Sequence, residues 1–147
     1  MANFFAFDPT GGQVAVAAPS WVSLVWQTSI IDSDFTHTTG TSTVTINTTA
    51  LYNIEYDVTA YNDGSGTVGT RTGTRYRILR NGSELAGTRS AAYHRNSAVG
   101  EDTATAKGKW NLTATDTLVV QFQQYPNANA TIATVPNGSR FSIEKIG

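Results

Sequence analysis

His37 and His94, 11 aspartates and glutamates, and no cysteine at all make up the acid–base and metal-ligating chemistry of this 147-residue chain. Neither histidine has a His-x-x-x-His or His-Glu companion, so hydrogen bonding in a loop is the reading for both, ahead of a ligand or base. There is no Gly-x-Ser-x-Gly nucleophile elbow and no phosphate loop. Paired carboxylates for hydrolysis are assembled in space and leave little trace in sequence. Asp32, Asp34, Glu55, Asp57, Asp63, Glu101 and Asp102 are the candidates, and solvated strand faces or loop caps account for them as well. Two oxygen-rich stretches, Asp32-Ser33-Asp34 and Asn62-Asp63-Gly64-Ser65-Gly66, have the donor type that hard cations favour. Both lack the closing Glu of a calcium loop, which makes an Asx turn the better reading. The expectation is a protein that is not an enzyme and holds no metal or cofactor.

The arginines are gathered. Arg71, Arg75, Arg77, Arg80, Arg89 and Arg95 lie close in sequence, yet the net charge is −1 and charged residues form only 14% of the chain. A nucleic-acid surface needs a basic surplus that this balance does not supply. Pairing between subunits, with Glu84 and Glu55 as partners, or contact with an acidic surface is the expected use, because the planar guanidinium binds carboxylates bidentately.

The elements that must carry these groups are strands. Asn81-Gly82 predicts a two-residue type I′ turn, which places Arg80 opposite Ser83, Ile78 opposite Leu85 and Tyr76 opposite Gly87. Tyr76, Ile78 and Leu85 then face a core, while Arg75, Arg77, Leu79 and Glu84 face outward. From Leu51 to Tyr61 the alternation is unbroken, with Tyr52, Ile54, Tyr56, Val58 and Ala60 inward. Val44 and Ile46 form another inward pair, as do Phe141 and Ile143. Leu118, Val120 and Phe122 point inward from the stretch 117–125, leaving Val119, Gln121, Gln123 and Tyr125 outside. In 103–112 the small residues Ala104, Ala106 and Gly108 are expected to leave room for aromatics of a facing sheet. Residues 92–102 read as a long surface loop. Eight to ten short strands with turns about every ten residues and no helical pattern give an all-β sandwich or jelly roll. Residues 1–12 read as an N-terminal arm or edge strand and 13–147 as one domain. No stretch is long and apolar enough for a membrane span or a signal peptide, which predicts a protein made in a cytoplasm.

The order of these motifs resembles the trimeric jelly roll of the tumour necrosis factors and of complement-type globular heads, a fold also used in bacteriophage virion proteins. Trp26, Ile30, Ser33-Asp34-Phe35 and Gly40 precede Thr43-Val44-Thr45-Ile46, and Leu51-Tyr52-Asn53-Ile54-Glu55-Tyr56 follows the corner. That corner carries Ala50 where the family usually has glycine. Tyr76 to Gly82, Leu112 to Val120 and Ser139-Arg140-Phe141-Ser142-Ile143 match the remaining strands. The resemblance implies an antiparallel two-sheet jelly roll that forms a homotrimer. Without collagen repeats or cysteines, it points to a virion structural protein, a capsid decoration (cement) protein, whose partners are its own copies and a major capsid or other virion protein. Nucleic acid and membrane are not among the expected partners. In such a trimer Val119, Gln121, Gln123 and Tyr125 would lie near the three-fold axis, and Phe4, Phe5 and Phe7 would be a capsid-contact arm. The alternative is the receptor- or glycan-binding tip of a tail fibre, reading its target with loops at 62–68 and 92–102.

Overall fold

The computed structural model describes residues 2–63, 71–95, 100–125 and 130–147. Their strands form two antiparallel sheets of five and seven strands packed face to face, and no helix is found among them.

β6 (Ala50–Asn62) is an interior strand of the five-stranded sheet. Its alternation is realised in full: Tyr52, Ile54, Tyr56, Val58 and Ala60 are all completely buried. On one side it pairs with β10 (Gly100–Leu112), which is an edge. On the other side lie β12 (Ile132–Lys145), β1 (Asn3–Asp8) and finally the edge strand β3 (Thr28–Ile31). The N-terminal segment is therefore neither an arm nor an edge. Phe4 sits between Ile143 of β12 and Ile31 of β3. The reason is its own alternation: Phe4, Ala6 and Asp8 turn inward, so the strand must join the sheet to bury them. Phe4 packs edge-on against Phe141 at 5.8 Å and is unavailable as an anchor.

The seven-stranded sheet runs β4 (Phe35–His37), β5 (Val44–Ile46), β11 (Thr117–Tyr125) and β7 (Thr72–Arg80), with β8 (Ser83–Glu84) and β9 (Ser90–His94) both on the far side of β7. The short β2 (Val22–Ser23) also pairs with β11. Between β2 and β3 the chain passes from one sheet to the other, carrying Leu24 and Trp26 into the core, where Trp26 stacks on Phe141 at 5.8 Å.

The Asn81-Gly82 turn forms as the sequence predicts, with φ of 51° and 82° and Arg80 opposite Ser83. The ribbon then departs from simple register. Leu85 N still bonds Ile78 O at 2.8 Å, but Gly87 turns with φ 85° and Ser90, not Gly87, faces Tyr76. The buried Thr88 side chain bridges the gap: its hydroxyl accepts from Ile78 N at 2.9 Å and donates to Leu85 O at 2.7 Å. A side chain thus satisfies a backbone group that the interrupted ladder leaves open.

Two further segments differ from expectation. Residues 92–102 are not one long loop, because β9 runs to His94 and β10 begins at Gly100. The residues before Pro136 and after Gly138 belong to one strand. Thr134 faces Ala60 and Ser139 faces Val58, so Val135 to Gly138 bulge out opposite Thr59. In β10 the small residue Gly108 makes room for a neighbour in its own strand rather than for the facing sheet. A Cβ there would come within 2.5 Å of the Trp110 ring.

Candidate functional site

The acid–base groups are dispersed. His37 lies in β4 and His94 in β9, at opposite edges of the seven-stranded sheet. His37 bonds Ser29 Oγ at 3.0 Å and Thr41 O at 3.1 Å. His94 is fully buried. Its Nδ1 donates to Gly100 O at 3.1 Å, and its Nε2 lies 2.9 Å from Thr74 Oγ1. Burial pushes its pKa down, against the Gly100 hydrogen bond and the Asp102 charge, which favour the cation. Tyr56 is likewise moved by burial, up to about 12, and donates to Thr88 O at 2.6 Å. Both histidines serve the framework.

Most of the candidate carboxylates have structural partners of their own. Asp32 caps Asn3 N at 2.7 Å. Asp34 bonds Thr48 and Lys145, and the Thr48 hydrogen bond foremost keeps its carboxyl below the usual range. Asp57 is buried against Arg140 and takes a hydrogen bond from Thr105 Oγ1 at 2.5 Å. Asp102 receives Tyr93 N at 3.0 Å and Thr103 N at 2.8 Å. Of the stretch 62–66, residues 64–66 lie outside the described residues, as do 64–68 and 96–99 of the two expected tip loops. Among the described residues no three His, Asp or Glu side chains gather as a metal site.

Arg77, Arg80 and Arg89 pair within the chain. Arg77 donates through Nε and Nη2 to Gln121 Oε1 at 3.0 and 2.9 Å and reaches Glu84 at 3.3 Å. Arg89 joins the same carboxylate, and its hydrogen bond above all holds the Glu84 pKa down. Trp21 lies under both guanidinium groups, 4.0 Å from Arg77 and 5.5 Å from Arg89. Arg80 pairs with Asp116. Glu55 pairs with Lys107 at 3.1 Å and with no arginine among the described residues. Intersubunit pairing through Glu84 and Glu55 is thus replaced by intrachain pairing. Cross-strand neighbours on one sheet face reach each other more readily than a second molecule can.

The outward row of β11 is largely covered by the same side chains. Val119 lies beside Leu79, Gln121 holds Arg77 and Ser23, and Gln123 is buried and donates to Ser20 O at 2.9 Å. Tyr125 carries Arg75 over its ring at 3.5 Å. The open surface lies elsewhere. On the five-stranded sheet Phe5 is 37% exposed and Ile30, its partner on β3, 69% exposed, with the Phe7 ring 5.9 Å from that of Phe5. On the seven-stranded sheet Tyr93 and Tyr125 are exposed on either side of Gly73. The outward alternation of Arg75 and Arg77 was legible in sequence. Tyr93 was hidden by the loop reading of 92–102, and Trp21 by its distance in sequence from Arg77.

No protein-family model and no curated protein sequence matches the chain. Solved structures do. Murine APRIL superposes with a TM-score of 0.64 at 15% identity, over 99% of this chain and 98% of that one. The globular domain of zebrafish complement 1qA gives 0.63 at 11% identity, over 100% and 98%. The Eiger tumour necrosis factor of S. frugiperda gives 0.61 at 14% identity, over 100% and 92%. The fold of this chain is accordingly the all-β jelly roll shared by tumour necrosis factors and complement globular heads.

Proposed function

We propose that this chain is a non-enzymatic structural protein of a bacteriophage virion, acting as a homotrimeric capsid decoration protein. The observation that carries the assembly is the exposed Phe5–Ile30 pair, with the half-buried Phe7 ring beside it, on the open face of the five-stranded sheet. Large apolar side chains grouped on one face mark a contact surface. The candidate acid–base groups, by contrast, have partners that serve the framework. Three copies meeting through this cluster would bury it and leave the seven-stranded sheet outward. This moves the trimer contact away from Val119, Gln121, Gln123 and Tyr125, and leaves Phe5 and Phe7 as the usable part of the expected N-terminal contact. Placed where capsid subunits meet, the trimer would bridge neighbours and stabilise the shell by surface burial alone. The absence of cysteine suits assembly in a reducing cytoplasm, which supports the virion setting. Light scattering on the purified protein, followed by co-sedimentation with empty capsid shells, tests the reading. A trimer that pellets saturably with shells supports it, and a stable monomer sinks it.

A second reading, the glycan-binding tip of a tail fibre, is favoured by one observation, the exposed Tyr93–Tyr125 pair beside arginines that make no ion pair among the described residues.

A further inference from the structure

Gly73 in β7 lies between Tyr125 of β11 and Tyr93 of β9, directly opposite both. The two tyrosines, 40% and 52% exposed, share the outward face of the sheet. Neighbouring strands are about 4.8 Å apart, so their backbones stand about 10 Å from each other with a residue lacking a side chain between them. A Cβ at Gly73 would come within 2.9 Å of Tyr125 O and 3.3 Å of Ala92 O, so no larger residue fits there without a shift. Arg75, the next outward residue of β7, is held over the Tyr125 ring at 3.5 Å. Arg71 precedes the notch on β7, and Arg95 follows it on the chain leaving β9. Both are exposed. Among the described residues none of Arg71, Arg75 and Arg95 makes an ion pair, whereas Arg77, Arg80, Arg89 and Arg140 all do.

We infer that the Tyr93–Gly73–Tyr125 notch, with Arg71, Arg75 and Arg95 around it, binds an acidic sugar unit of a glycan. Tyrosine rings offer apolar faces to the C–H side of a pyranose and hydroxyls to its polar rim. The guanidinium groups supply the planar donor fork that a sugar carboxylate accepts. The net charge of −1 makes this a local basic patch rather than a basic protein. Its short extent disfavours the phosphate track of a nucleic acid. The inference rests on the second reading above and names its ligand class. It does not depend on how the copies assemble.

The test is calorimetric titration of the whole protein with sialyllactose and a galacturonic acid trimer, with maltotriose as the neutral control and a thymidine oligonucleotide as the competing class. Acidic sugars should bind saturably with Kd on the order of 1 mM or tighter, and weaken with salt. Tyr93→Ala and Arg75→Gln should each weaken binding about tenfold or more while leaving the thermal melt unchanged. Absence of saturable acidic-sugar binding overturns the inference, as does equal binding by maltotriose, an unaffected Tyr93→Ala protein, or binding of the oligonucleotide alone. Light scattering on the same samples separates the two ideas. A trimer that ignores these sugars sinks only the ligand, and a monomer that binds them sinks only the assembly.

Discussion

Arg80 Nη2 meets Asp116 Oδ2 at 2.5 Å, and this contact fastens the Asn81-Gly82 turn to the turn that opens β11. Asn81 Nδ2 adds a hydrogen bond to Asp116 Oδ1 at 2.6 Å, and Thr113 N one to Oδ2 at 2.8 Å. Burial raises the Asp116 pKa, but the hydrogen bonds from Thr113, Arg80 and Asn81 outweigh it and hold the carboxyl below its usual value. A depressed carboxyl contributes stability above its unfolded pKa of about 3.9 and loses that contribution as pH falls through the folded value. Asp116→Ala is expected to cost about 2 kcal/mol at neutral pH, seen as a lower urea midpoint with an unchanged slope. As pH falls through the folded value, the difference from the parent protein should shrink.

Trp110 folds back over Gly108 and donates Nε1–H to Ala86 O at 3.1 Å, tying the edge strand β10 to the segment after β8. Gly108→Val would occupy the space of the ring. The expected result is a red-shifted tryptophan emission and a loss of about 1–3 kcal/mol, since a displaced indole loses both its cover and its acceptor. An unchanged emission spectrum would show that the ring does not rest there.

Assembly through the five-stranded sheet predicts opposite outcomes at two places. Phe5→Lys combined with Ile30→Lys should yield a folded monomer by light scattering, because each apolar side chain buried at a contact contributes about 1.5–3 kcal/mol. Gln121→Glu should leave the trimer intact, since its oxygen already accepts from Arg77 at 3.0 and 2.9 Å and a carboxylate keeps both bonds. A monomeric Gln121→Glu protein would return the contact to β11.

His94 predicts an acid limb of its own. Its folded pKa is depressed chiefly by burial, so the unfolded chain binds the proton more readily. Stability from this site is complete above the unfolded value of about 6.5 and declines as pH falls from there through the folded pKa. Thermal melts of the parent protein should drop as pH is lowered from about 6.5 toward the folded value. In His94→Gln, destabilised throughout by the imperfect fit to Thr74 and Gly100, the drop over that interval should be smaller. Equal slopes in the two proteins would clear His94 of the effect.

Local pattern decided much of this molecule. Alternation in 51–61 and 117–122 marked the buried faces of β6 and β11, because successive side chains of a strand point to opposite sides whatever surrounds them. Asn81-Gly82 determined its own turn, since a type I′ turn needs positive φ at two adjacent residues. The fold class followed from these periods, and the jelly-roll resemblance from their order. Pairing partners did not. That β1 lies inside a sheet depends on β12 and β3, distant in sequence, presenting free edges to it. Arg77 turned to Gln121, Glu84 and Trp21 because three strands and a connecting segment converge on one face. Val119, Gln121, Gln123 and Tyr125 alternate along one face of β11, but whether a residue on that face is open or covered depends on what crosses above it. The Tyr93–Gly73–Tyr125 notch exists only once β9, β7 and β11 are side by side. Periodicity is a property of one strand, and a surface is a property of several, so only the tertiary structure could show which outward residues meet.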